Sequence, residues 1–174
     1  MLDVSRPDTE TRELGISELG TPVDAVSILR TFIRAGDEHA RLSYALKNRI
    51  AGQLPRIGKQ PKLPGLKEAL LRFFTPFRGM SALLWEMYNI GFLEILFPDF
   101  SLIKARFCWD YYHRYTVDEH TILSIRNIER LVGPGEGRAE DDVADKRFSS
   151  LLDESSGPVY ITLALLFHDI GKGG

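Results

Sequence analysis

One segment of the chain places an imidazole and a carboxylate side by side where a metal ion is a natural partner. His168 and Asp169 are adjacent at the end of an apolar stretch, and Lys172 follows three residues after the aspartate. Burial removes both side chains from water, so the carboxylate needs a cation or hydrogen-bond donors. Imidazole nitrogen and carboxylate oxygen are both suitable ligands for a divalent ion. His168 and Asp169 are therefore candidate metal ligands, with Lys172 placed to contact a phosphate oxygen near such a metal.

A third candidate ligand, His120, lies well upstream in a separate helical segment. Beside it runs a predicted inward-facing stripe of Leu123, Asn127 and Leu131. A bare His-Asp pair is more simply explained as a helix C-terminal cap, with Asp169 solvated and His168 bonded to a backbone carbonyl. A histidine on one helix and a His-Asp pair on another, however, are what a metal site built across helices needs. The sequence therefore predicts His120, His168 and Asp169 as metal ligands.

The two segments that carry these residues are both predicted to be helices. Thr116 and Glu119 match a capping box, so a helix is expected from Thr116 to about Val132. Asp118 and Glu119 are better explained by this helix start than by catalysis. A final helix is expected to begin near Pro158 and to be buried on nearly all sides, because little polar surface follows.

The rest of the chain predicts further helices separated by turns. Helices are expected from Thr21-Pro22 to Gly36, then over 38–53, 66–74 and 81–89, with a connector over 53–65 and a solvent loop over 133–147. Residues 92–97 alternate as a strand would, but a lone strand has no partner for its hydrogen bonds, so helix or turn is favoured. The predicted fold class is all-α.

Composition narrows the class of protein. The 174 residues are 44% hydrophobic, which is enough for a core, and the net charge of -2 offers no field that attracts nucleic acid or anionic lipid. The single cysteine, Cys108, excludes an internal disulfide and any multi-cysteine zinc cluster. Met1–Gly20 does not have the pattern of a secretory signal, and no apolar run is long enough to span a bilayer. We expect a cytoplasmic protein.

The residues also carry a resemblance to a known family. The run Tyr115-Thr116-Val117-Asp118-Glu119-His120-Thr121, with Trp109 and Asp110 upstream, strongly resembles the segment that opens the HD domain of bacterial PII uridylyltransferase/uridylyl-removing enzymes. His120, His168-Asp169 and Lys172 look like the first three metal ligands and the trailing lysine of the HD phosphohydrolase superfamily. Met80–Phe100 is similar to the helical segment preceding that domain. The resemblance covers roughly residues 25 to 174.

This resemblance implies an organisation and a reaction. Residues 21–105 are expected to be a helical linker region and 106–174 the N-terminal part of an HD domain within a helical bundle. The sparse apolar residues of 1–20 independently predict a disordered N-terminus. The family uses a divalent metal (Mg, Mn, Fe or Zn) in its HD domain to hydrolyse UMP from a tyrosine of the PII signal protein in nitrogen regulation. PII and a phosphoester substrate are thus the expected partners, and Lys172 the expected phosphate contact.

The departures from the family pattern matter too. Nothing in the chain resembles the nucleotidyltransferase domain, the later metal-ligand aspartate or the ACT repeats. We therefore expect a fragment whose site is incomplete and whose activity is uncertain. Asp110 and His113 are about equally well explained as groups near the site or as ordinary surface residues. The alternative functions are another HD hydrolase, acting on nucleotides or cyclic dinucleotides, and a non-catalytic helical binding module.

Overall fold

The structure, a computed structural model, describes residues 12–21, 23–58, 63–105, 116–131, 143–154 and 157–173, without the side chains at 143–146, 153, 172 and 173. The described ranges contain eight α-helices, three short 3-10 helices and two very short strands, which confirms the predicted all-α class. The helices are α1 (Ala25–Asp37), α2 (Tyr44–Ile57), α3 (Leu66–Phe74), α4 (Met80–Asn89), α5 (Phe92–Leu96), α6 (Val117–Leu131), α7 (Val143–Glu154) and α8 (Pro158–Phe167). The strands are β1 (Glu13–Leu14) and β2 (Arg41–Leu42). None of the described helices is long and apolar enough to cross a membrane.

Helix α1 begins about one turn later than the predicted start at Thr21. Asp24 caps it, because its Oδ1 accepts the Ser27 N–H at 2.7 Å while the Asp24 N–H donates to Ser27 Oγ at 2.9 Å. This reciprocal pair satisfies two backbone donors that a helix start leaves free. The predicted start is wrong because Ser27 takes the role that Glu or Gln usually fills in a capping box.

The two strands pair in parallel where the sequence predicts disorder through residue 20 and a helix from residue 38. Leu14 is 2% exposed and Leu42 is fully buried, so each strand places one leucine in the core. Two residues are too few to produce a recognisable alternation, and both local expectations are therefore wrong here.

Helix α2 is displaced from its predicted range because strand β2 occupies the residues just before it. It begins after Ser43, whose Oγ accepts the Leu46 N–H at 3.2 Å. It then continues through Pro55 to Ile57, into the range predicted as a connector. Leu54 and Ile57 are buried, so packing of this last turn compensates for the hydrogen bond that proline removes.

One apolar core runs from Leu14 to Leu166 and so joins the predicted linker region to the predicted catalytic part. Phe32 of α1 and Phe92 of α5 stack with ring centroids 6.0 Å apart. Phe97 contacts Phe74 of α3 and Phe167 of α8 edge to face, at 5.7 and 5.1 Å. These aromatic contacts fix the end of α8, where the His-Asp pair follows.

Three further expectations meet the structure in this half of the chain. Residues 92–96 are helical, as favoured over a strand. Helix α7 begins at Val143, so the predicted solvent loop is wrong for its last residues. Helix α8 begins at Pro158 as predicted, but its buried residues are Thr162 and Leu166, and Tyr160 is 65% exposed. The expectation of burial on nearly all sides is wrong because α8 covers the core with one face only.

Candidate metal centre

The first turn of α6 is built from local bonds that the sequence anticipates. The Thr116 N–H donates to Glu119 Oε2 at 3.1 Å, and the His120 N–H donates to the Thr116 carbonyl at 2.8 Å. The Glu119 half of the predicted capping box is therefore present. His120 lies four residues after Thr116 and directly after Glu119, and it is half-buried.

Asp118 has a larger role than the helix start alone. It is fully buried, and its Oδ2 accepts the hydroxyl of Tyr88 at 2.6 Å and the N–H of Ala105 at 2.7 Å. Burial raises the pKa of Asp118, but hydrogen bonds from Ala105, Thr116, Tyr88 and Glu119 outweigh it and hold that pKa below its ordinary value. Burial and the Asp118 charge raise the pKa of Tyr88. The carboxylate is thus kept ionised inside the protein by fixed donors.

The His-Asp pair stands in the turn that follows α8. The Nδ1–H of His168 donates to the Leu165 carbonyl at 2.7 Å, which fixes the ring and directs Nε2 away from the helix. Nε2 lies 3.2 Å from Asp169 Oδ2. The Asp169 side chain is 9% exposed, whereas that of His168 is 34% exposed. The carbonyl contact foreseen for a helix cap is present, but Asp169 is buried and not solvated.

Packing of α6 against α8 brings His120 to this pair. The rings of His120 and His168 have centroids 5.7 Å apart and are inclined by 56°. One ligand atom each from His120, His168 and Asp169 lie within 4.8 Å of one another. The three residues predicted as ligands therefore converge on one point, from two helices far apart in sequence.

The donor set and its spacing suit a divalent cation. Nε2 of His168 and the Asp169 oxygen are in contact, and either a cation or a proton on Nε2 suits this arrangement. Two ligands about 2.1 Å from one ion stand about 3.0 to 3.4 Å apart when they subtend about 90 to 109° at it. The 3.2 Å separation lies in this range.

His120 lies close to His168 as expected, but the stripe of residues predicted to face inward beside it is wrong. The buried face of α6 consists of Val117, Asp118, Thr121, Ile122 and Ile125. Asn127, which the sequence places on the inward stripe with Leu123, is exposed. His120 lies beside the buried face and meets His168 at the edge of the α6–α8 contact.

Other predicted groups are placed only in part. Lys172 lies in the 3-10 turn Ile170–Gly173 directly after Asp169, but its side chain is outside the described part of the chain. Asp110 and His113 fall outside the described residues. The Tyr88–Asp118 bond is a contact that sequence reasoning missed, because it joins residues 30 positions apart and leaves no local pattern.

Comparison with known proteins gives one consistent result. The chain is 32% identical over 121 residues to the bifunctional uridylyltransferase/uridylyl-removing enzyme of Haemophilus influenzae strain PittEE, which covers 70% of the chain and 13% of that enzyme. It is 36% identical over 125 residues to the enzyme of the same name from Hydrogenovibrio crunogenus, covering 71% of the chain and 14% of the enzyme. No family model matches the chain, and no solved structure does.

The similarity covers most of this chain and a small part of each relative. The Pasteurella multocida enzyme of the same name shares 30% identity over 118 residues, again 68% of the chain and 13% of the relative. The chain thus spans about an eighth of the length of the curated relatives it matches. The predicted family is confirmed: over most of its length, the chain is a homologue of one segment of the bifunctional uridylyltransferase/uridylyl-removing enzymes.

Proposed function

We propose that this chain carries part of a metal-dependent phosphohydrolase site of the HD type, the part that serves uridylyl removal in its relatives. The observation that supports this most strongly is the convergence of His120, His168 and Asp169, whose ligand atoms lie within 4.8 Å of one another. The names of the relatives include a uridylyl-removing activity, which is a phosphodiester hydrolysis. A bound divalent cation supplies the chemistry that such a hydrolysis needs.

Each residue has a definite task in this proposal. His168 presents Nε2, because its Nδ1–H is committed to the Leu165 carbonyl. Asp169 contributes negative charge from a nearly buried position, which strengthens its attraction for a cation. His120 closes the site from the α6 side. When bound, a divalent ion would lower the pKa of water and offset charge on the phosphoryl oxygens.

Lys172 is proposed to hold the phosphoryl group of the substrate. Its place in the turn directly after Asp169 keeps it close to the ligands along the chain. An ammonium group acts on phosphate as a point charge with three rotatable donors. The proposed substrate is a uridylylated tyrosine of a PII-type signal protein, and the division into a linker over 21–105 and a catalytic part over 106–174 belongs to the same proposal.

The direct test is metal binding by the 174-residue chain. Isothermal titration with Mn²⁺ should show one binding event in the wild type, and this event should be lost in His168→Ala and Asp169→Asn. His39→Asn is the matched control, because His39 is an exposed histidine at the end of α1 and asparagine tolerates its left-handed backbone. It should bind Mn²⁺ as the wild type does.

Activity provides the second half of the test. If a Mn²⁺-loaded sample hydrolyses a uridylylated tyrosine peptide, Lys172→Ala should weaken this hydrolysis while Mn²⁺ affinity stays unchanged. If the wild type gives no binding heat with Mn²⁺, Mg²⁺, Fe²⁺ or Zn²⁺, the metal site is refuted and the binding-module alternative is favoured.

A further inference from the structure

The buried carboxylate of Asp118 lies on the same helix as His120, and it accepts hydrogen bonds from two other parts of the chain. We infer that Asp118 is a positioning residue, whose bonds to Tyr88 and Ala105 fix the rotation of α6 about its axis and thereby hold the His120 imidazole opposite His168. This inference rests on the proposed metal site for its functional meaning. The placement of the His120 ring relative to the His168 ring can be tested without any metal.

The Asp118 carboxylate joins three segments. The Tyr88 hydroxyl comes from α4, and the Ala105 N–H comes from the turn after the 3-10 helix Pro98–Leu102; both donate to Oδ2. Oδ1 accepts the Glu119 N–H of α6 itself at 3.0 Å. Because the side chain is fully buried, water cannot replace any of these donors at low cost. The first turn of α6 is thereby tied to two segments outside the helix.

The Ala105 backbone indicates that this bond is structurally enforced. Its φ is +53°, in the left-handed region that residues with a Cβ rarely adopt. A residue persists there only when surrounding contacts determine its conformation. The bond from the Ala105 N–H to Asp118 is such a contact. Ala105 thus adopts an unfavourable backbone conformation at the position whose N–H bonds to α6.

Helical geometry connects Asp118 to the metal ligand. Residues two positions apart in an α-helix are separated by about 200° around its axis. Asp118 and His120 therefore project to nearly opposite sides of α6. Asp118 accordingly contacts α4, and His120 contacts the residue that follows α8. At a side-chain radius of about 6 Å, a helix rotation of about 10° moves the imidazole by about 1 Å. Metal–ligand distances tolerate only about 0.2 Å.

The test compares two variants of this tie with a matched control on the same helix. Asp118→Asn replaces one of the two accepting oxygens by an NH2 group, so the remaining oxygen cannot accept both the Ala105 N–H and the Glu119 N–H. Tyr88→Phe removes one donor and keeps the ring that packs on Trp85 and Phe100. The control is Glu129→Gln, since Glu129 also bonds to another helix but lies about 13 Å further along α6 than His120.

Two readouts separate positioning from simple stabilisation. The first is the nuclear Overhauser effect between the His120 and His168 imidazoles in the metal-free chain, and the second is the Mn²⁺ dissociation constant from calorimetry. Asp118→Asn and Tyr88→Phe should weaken the Overhauser effect and raise the dissociation constant about tenfold, as loss of a supporting contact does at metal sites. Glu129→Gln should lower Tm and leave both readouts at wild-type values.

The outcomes are distinguishable from those of the proposed function. If Asp118→Asn and Tyr88→Phe lower Tm but both leave the Overhauser effect and the dissociation constant unchanged, Asp118 only stabilises the fold and the inference is overturned. If the wild type binds no metal, the proposed function fails, and the Overhauser effect alone decides the inference. An unchanged effect in both variants then refutes positioning, and a weakened one supports it.

Discussion

Replacing Glu129 by alanine is expected to remove the only described cap of α4. Gly79 precedes this helix with φ of +92° and offers no side chain, so the first N–H groups of α4 depend on another element. Glu129 of α6 accepts the Gly79 N–H at 2.5 Å, the Ser81 N–H at 3.0 Å and the Ser81 hydroxyl at 2.6 Å. The carboxylate also lies at the positive end of the α4 dipole.

The expected loss follows from these three bonds. A hydrogen bond to a charged group contributes about 1.5 to 3 kcal/mol, and loss of a helix N-cap costs about 1 kcal/mol. The site is only partly buried, and water reaches the exposed donors once the side chain is shortened. We therefore expect a loss of about 2 kcal/mol in unfolding free energy, which for a chain of this length lowers Tm by about 4 to 8 °C.

Thermal unfolding followed by circular dichroism at 222 nm measures this loss. Glu154→Ala is the matched control, because Glu154 is an exposed carboxylate at the end of α7. Its Tm should stay within about 2 °C of the wild type, since surface substitutions change stability by about 0.5 kcal/mol or less. Equal Tm values for Glu129→Ala and the wild type would refute the capping role.

Further predictions concern the core, an ion pair and pH. Phe92→Ala should cost about 3 to 5 kcal/mol in urea unfolding, because it leaves a cavity beside a stacked ring in the fully buried core. Arg41→Ala removes a partner 2.7 Å from nearly buried Glu86 and should cost about 1 kcal/mol, since Arg41 is itself half-exposed and Lys47 remains 3.6 Å away. The lowered pKa of Asp118 stabilises the fold above the unfolded value of about 3.9, and this contribution is lost as pH falls through the lower folded pKa. Wild-type Tm should therefore fall more steeply than that of Asp118→Asn below about pH 4, and parallel curves would contradict the role assigned to this carboxylate.

The three candidate ligands could be predicted because each lies in a short local pattern of the sequence. An adjacent His168 and Asp169 after an apolar helix, and a capped helix carrying His120, are patterns of a few residues each. Their meeting required only that the two helices pack together, which their apolar faces favour. The resemblance to the uridylyl-removing family strengthened the same three assignments.

The remaining features depend on contacts between distant residues. The Asp118 bonds to Tyr88 and Ala105 leave no trace in either segment, so Asp118 looked like a simple helix-start acid. Strands β1 and β2 consist of two residues each and are held by the burial of Leu14 and Leu42. Helix α2 also continues beyond Pro55, where the sequence predicts a connector, because tertiary packing buries the apolar side chains of its last turn.

The most direct test of the proposed metal centre is anomalous diffraction from Mn²⁺-soaked crystals of the chain, recorded at the manganese edge. A Mn²⁺ ion bound at the proposed centre should give an anomalous peak about 2.0 to 2.3 Å from Nε2 of His168, an oxygen of Asp169 and a ring nitrogen of His120. The peak should disappear in crystals of Asp169→Asn. A wild-type map without a peak at these three residues, under conditions that saturate ordinary Mn²⁺ sites, would show that His120, His168 and Asp169 do not form a metal centre.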